Sequence, residues 1–174
     1  MKKLCLVLAL VLMLCGCASQ EAYETVMDSV LEPKKDAALQ MVLDIPEDAV
    51  AEVLETEQSG QIYFCEDYIM TLQTLEAGDL EKTVRQTTGY DRDQLQMMQT
   101  GTGDLTRYEC VWIAAGENGD QVCRACILDD GNYHYILTVM ADADKAGELT
   151  MNDWQELFGS FRVMHPEDIV SSGS

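Results

Sequence analysis

Basic residues are scarce in this chain: eleven lysines and arginines stand against thirty-one aspartates and glutamates, a formal charge of −20. A surface that acidic repels phosphate backbones and anionic headgroups, which excludes nucleic acid as a partner and electrostatic docking as a route to membranes. Histidine is scarcer still. There are two, His134 and His165, and His165 lies against Pro166 near the end of the chain. No Gly-x-Ser-x-Gly, metalloprotease or phosphate-loop sequence occurs either, so nucleophilic catalysis finds little to build on. The carboxylate pairs Glu66-Asp67 and Asp129-Asp130 fall at turns, where acidic residues are expected for backbone reasons. Repeats and low-complexity segments are absent, and the longest apolar run, at the start, is too short to span a bilayer. No enzymatic activity and no cofactor are expected.

What the chain does have begins at that start. Lys2 and Lys3 precede an apolar core from Leu4 to Leu14, interrupted by Cys5, and Leu14-Cys15-Gly16-Cys17 follows. This is the charge and length of a secretory signal. The last four residues resemble the lipobox of bacterial lipoproteins: leucine, two small residues, then the cysteine that takes the lipid. Cys15 does not fit that role, since Met13 and Leu14 would occupy the small-residue positions. The resemblance implies cleavage between Gly16 and Cys17, a diacylglyceryl group on the sulfur of Cys17, and tethering to the extracytoplasmic face of a bacterial cell membrane. Two or more acyl chains anchor stably, at about 0.8 kcal/mol per buried CH₂. Cleavage would take sixteen residues from 174 and two positive charges from −20, leaving 158 residues at −22. That is one domain's worth, and 47% hydrophobic content is enough to fold it. The acidity keeps a tethered protein soluble; a cationic partner or Ca²⁺ is the sharper reading of it.

Four segments follow from composition: the signal at 1–16, a lipidated tether at 17–37, a single domain at 38–165, and a frayed polar tail at 166–174. In the tether, Tyr23, Val26, Met27 and Val30 suggest one short amphipathic helix, which Pro33 ends. Within the domain, Leu39–Ile45, Ala49–Leu54, Gln61–Cys65 and Tyr68–Leu75 read as short strands. Asp79 is a good N-cap for a helix that Gly89 would close, and Gln94–Gln99 reads as another strand before the loop Thr100–Asp104. Tyr108–Ala141 reads as three antiparallel strands, and Met151 to about Val163 as a helix with Thr150 and Asp153 as a capping box. Its stripe of Met151, Trp154, Leu157, Phe158 and Phe161 is core packing. Strands, helix, strands, helix is an α+β order: an antiparallel sheet of about six to eight strands covered by helices.

Two turns in the three-strand section carry the sharpest expectation. Glu117-Asn118-Gly119 and Asp129-Asp130-Gly131 read as three-residue hairpin loops whose glycines need positive φ. That register sets Val111, Ile113 and Ala115 with Cys123, Ala125 and Ile127 and with Tyr133, Tyr135, Leu137 and Val139 on one face. On the other face it aligns Cys110, Cys126 and His134 across neighbouring strands, beside Trp112 over Arg124. Opposed Cys110 and Cys126 are close enough for a disulfide; with His134 they also make three ligands for Zn²⁺. The plain alternative is two small buried hydrophobes, with His134 satisfied by a polar neighbour. Cys123-Arg124-Ala125-Cys126 is not a redox pair, because residues three apart in a strand point to opposite faces. Asp142–Asp153 matches an EF-hand loop only in part, with Ala146 in a ligand position, and a solvated acidic loop accounts for it better.

The order of elements, closing on Trp154-Gln155-Glu156-Leu157-Phe158-Gly159-Ser160-Phe161, is similar to the PsbP-like fold, an α/β/α sandwich. Members of that fold mostly act as non-catalytic accessory or binding proteins at membranes. The lipobox, the tether and the absence of a credible catalytic set lead to the expectation of a lipid-anchored, non-catalytic domain that binds an unidentified protein or small molecule, since fold analogy alone transfers no function. A metal- or thiol-dependent module using Cys110, Cys126 and His134, and a structural envelope-associated interaction protein, are the alternatives.

Overall fold

Where β-branched and apolar residues run between turn formers, the chain is extended. The computed structural model describes residues 37–53, 60–102, 104–116, 119–149 and 151–168. Its strands are β1 (Gln40–Val42), β2 (Val50–Val53), β3 (Gly60–Phe64), β4 (Ile69–Glu76), β5 (Met97–Thr102), β6 (Leu105–Gly116), β7 (Gly119–Asp129), β8 (Tyr133–Asp142) and β9 (Arg162–Met164). Seven of them form one antiparallel sheet in the order β2-β3-β4-β8-β7-β6-β5. β1 and β9 pair with each other in a separate two-stranded sheet.

Helix α1 (Leu80–Thr88) starts where the sequence says it should. The Asp79 carboxylate accepts from the Glu81 amide, and Gly89 ends the helix at φ 79°, donating its N–H to the Arg85 carbonyl. Its buried residue Val84 packs on Ile127 and Ile136. A short helix α2 (Ala143–Ala146) follows β8, and α3 (Met151–Ser160) places Phe158 against Cys126, Leu128, Leu137 and Val139. Neighbours such as Ile127 and Leu128 point oppositely from one strand, so α1 and α3 cover opposite faces of the main sheet. The molecule is an α+β fold with a helix on each side.

Several boundaries differ from the sequence reading. α3 ends at Ser160 rather than near Val163, because Arg162–Met164 pair with β1. β5 runs through Thr100–Thr102, the stretch expected as a loop, and pairs Thr102 with Leu105. A 3₁₀ turn at Arg92–Gln94 occupies the start of the expected strand. Residues 166–168 form a helical turn instead of frayed tail, while residues 169–174, the signal, the tether helix and Thr150 lie outside the described residues.

The hairpin register is the substantive correction. Gly116 pairs with Gly119 and Asp129 with His134, so each connection differs by an odd number of residues from the three-residue loops expected. Gly119 and Gly131 do have positive φ, 138° and 85°. An odd slip turns a strand over. Two odd slips turn β7 alone, leaving Val111 and Ile113 of β6 on the same face as Tyr135, Leu137 and Val139 of β8, as expected. Cys123, Ala125 and Ile127 move to the α1 face.

Candidate functional site

That inversion separates the residues proposed to share a site. Cys110 faces Ala125, and Cys126 lies between Glu109 and Leu137. Cys110 and His134 point to the α1 face while Cys126 points to the α3 face. The Cys110–Cys126 disulfide and the Cys110/Cys126/His134 metal set are therefore ruled out by geometry, since a sheet lies between the groups. Cys65, Cys110, Cys123 and Cys126 are all free thiols. Burial raises the Cys110 thiol to about 11 and the Cys126 thiol to about 12, so both are protonated and inert at neutral pH.

His134 has the polar neighbour that the plain alternative required. It is 1% exposed, with Nδ1 2.8 Å from the Thr83 hydroxyl of α1 and Nε2 3.6 Å from an Asp129 carboxylate oxygen. Hydroxyl, imidazole and carboxylate stand in the order of an acyl-transfer relay. Thr83 is buried with His134, and 3.6 Å is too long for a hydrogen bond, so the contact pins α1 to the sheet. The expected Trp112–Arg124 stack is also undone by the inversion. The Arg124 guanidinium lies 4.4 Å from the Phe158 ring centroid and pairs with Glu109 at 2.6 Å. Glu109 also binds Arg107, whose other nitrogens donate to the Phe158 and Phe161 carbonyls and hold the end of α3. The partial EF-hand segment forms α2, and Lys145 within it is bound to Asp67 at 3.0 Å.

The strongest candidate lies elsewhere, at an unfinished edge. β6 has twelve residues and β5 has six, so the β5–β6 pairing stops at Met97–Cys110. From Val111 to Gly116, β6 has no strand partner on that side among the described residues. In place of a partner there is a cleft of about 830 Å³, with Tyr90, Gln94, Leu95 and Gln96 facing the β6 edge. The Tyr90 hydroxyl donates to the Ile113 carbonyl at 3.0 Å, which shows that this carbonyl points outward. In an antiparallel ladder the N–H and C=O of one residue share a direction and alternate along the strand. Val111 therefore presents a backbone donor and acceptor to the cleft as well, and Ala115 presents its pair at the same edge beyond the cleft's lining. Val111 and Ile113 are 55% and 50% exposed, although they lie on the α3 face, which α3 covers only in part. A second, smaller groove of about 370 Å³ runs from Val111 past Val122 to Ala146 and Trp154.

The sequence reading missed this edge because it assigned Val111 and Ile113 to a packed face. The available signal was length: a strand twice as long as the partner it turns back on must leave half its backbone to something else.

No protein-family model matches this chain, and no curated protein matches it. Among solved structures it is similar to cyanobacterial PsbP from Synechocystis sp. PCC 6803, at a TM-score of 0.51 and 13% identity, covering 74% of this chain and 94% of that one. It is also similar to LpqN, involved in cell envelope biogenesis of Mycobacterium tuberculosis, at 0.47 and 12%, covering 75% and 87%. A protein from Bacteroides thetaiotaomicron VPI-5482 matches at 0.48 and 11%, over 73% of this chain and 46% of that one, so this chain spans less than half of its length. The first of these likenesses bears out the PsbP-like architecture.

Proposed function

We propose that this protein is a lipid-anchored, extracytoplasmic binding module that performs no chemistry, and that its ligand seats in the cleft beside Val111–Ile113. The lipobox-like Leu14-Cys15-Gly16-Cys17 supports the address. The observation that carries the reading is the open edge of β6, where backbone polar groups and two exposed apolar side chains line one wall of a cleft. Soluble proteins usually block such an edge with charge, proline or a covering loop, because it invites association. Here the residues at the edge are valine, tryptophan, isoleucine and alanine.

The test is photo-crosslinking in cells making the full chain, with a photoreactive residue replacing Val111 or, as the control, exposed Glu81 on α1. The expected result is a discrete adduct from position 111 in the membrane fraction and none from position 81. Equal labelling from both positions, or none from either, would refute the reading.

A further inference from the structure

We propose that the open half of β6 is a strand-addition site that takes an extended, basic peptide segment of a partner protein along Val111–Gly116. This deepens the binding reading above and rests on it. β5 lines the first half of β6 and then gives way to the 3₁₀ turn at Arg92–Gln94, so the cleft occupies the space a continuing strand would fill. The outward groups of Val111 and Ala115 and the N–H of Ile113 offer the alternating row that an added strand pairs with, and at the Ile113 carbonyl the strand takes the place of the Tyr90 hydroxyl. Six residues of edge, at about 3.4 Å each, accept a segment about 20 Å long.

Side chains then set the character of the segment. On the α3 face, an added strand would bring alternate residues beside Val111 and Ile113 and toward the groove ending at Trp154, so these residues should be apolar. Charge decides the rest. The chain has a formal charge of −20, and Arg85, Arg107, Arg124 and Lys145 are each held by a carboxylate of the same chain. On the turn beside the cleft exposed Asp93 is offset by exposed Arg92, so the local excess of negative charge comes from exposed Asp120, paired with Ala115 at the far end of the edge, on top of the charge of the whole chain. An acidic or phosphorylated segment is repelled at this surface and a basic one is attracted. The segment that fits alternates apolar and basic residues.

The experiment uses the full lipidated chain in detergent micelles and fluorescence anisotropy with three peptides. One alternates lysine and valine, the second is the same peptide N-methylated at its valines, whose amides face β6 when their side chains lie beside Val111 and Ile113 in an antiparallel pairing, and the third alternates glutamate and valine. The first should bind saturably, the third should not, and methylation should weaken binding about tenfold or more by removing several ladder hydrogen bonds. Val111→Pro removes one outward N–H without touching the β6–β7 ladder, and Val111→Lys keeps the backbone while adding a repelling charge. Each should weaken the lysine–valine peptide about tenfold. Strand addition is overturned if the methylated peptide binds as tightly as its parent, and the basic preference if the glutamate peptide does. A self-association in sedimentation that Val111→Lys abolishes would assign the edge to a second copy and overturn the proposal. Should all peptides fail while position 111 still crosslinks in cells, the cleft is a binding site for other chemistry and only this inference falls. Should both fail, the binding reading falls with it.

Discussion

At the scale of single residues, burial controls reactivity. The thiols of Cys110 and Cys126 are raised by loss of solvent, and half-buried Cys65 is raised by burial and then by the charge of Asp48. At pH 8 a thiol reagent should modify the folded protein slowly, and at Cys65 before the buried cysteines; in denaturant all four should react at once. Rapid labelling of Cys126 in the native state would contradict the burial described here. Glu109 behaves in the opposite sense. Burial pushes its carboxyl up, but hydrogen bonds from Arg124 and Arg107 outweigh that and leave it below the ordinary glutamate value. A carboxylate lowered on folding contributes stability above its unfolded value and loses it as pH falls through the folded one. Glu109→Gln should therefore destabilise by about 2 kcal/mol at neutral pH, because two charged partners lose a hydrogen-bond acceptor. Measured by chemical denaturation, that gap to the parent should close as pH drops below the glutamate range; a gap that stayed constant would show that Glu109 acts through shape alone.

At the scale of elements, polar contacts decide how the helices sit. Thr83→Val should cost about 2 kcal/mol by leaving the buried His134 Nδ1 without its partner, read as a lower urea midpoint with an unchanged slope. Unaltered stability would mean that the hydroxyl contributes nothing to docking α1. The sequence was most legible where a local chemical signal exists. Asp79 and Gly89 bracket α1 because a carboxylate cap and a left-handed glycine each solve a backbone problem at a helix end. It was least legible in the middle of the sheet. β7 reads Val122-Cys123-Arg124-Ala125-Cys126-Ile127-Leu128, apolar on both faces, because helices cover both sides of it. Alternation specifies register only where one face meets water, so apolar agreement supported the inverted strand as readily as the true one. The proposed Cys110–Cys126–His134 cluster depended wholly on that strand. β9 was hidden for a different reason: its apolar Val163 prolongs the pattern of α3, and only pairing with β1 shows that the chain has changed conformation.

At the scale of the whole molecule, Cys17 decides where the protein resides on the proposed anchoring. Cys17→Ala should give either unprocessed precursor or a membrane-free product, and intact-mass measurement of the parent should find a mature chain beginning at Cys17 with its lipid adduct. A processed parent without the adduct would remove the membrane from this account while leaving the fold and the cleft as described. The described domain begins next to β1. Leu39 donates its amide to the Tyr135 hydroxyl at 2.8 Å, and Gln40, Met41 and Val42 then pair with Met164, Val163 and Arg162. On the proposed anchoring, any tug from the bilayer enters β1 at Gln40, while β9 is held to the body at its other end, by Arg162. A pull along the strands would load the three residue pairs of β1 and β9 together instead of opening them one after another. On that anchoring the small sheet, whose Met41 and Val163 pack against the core beneath α3, would share such tension with the Leu39–Tyr135 contact to the large sheet.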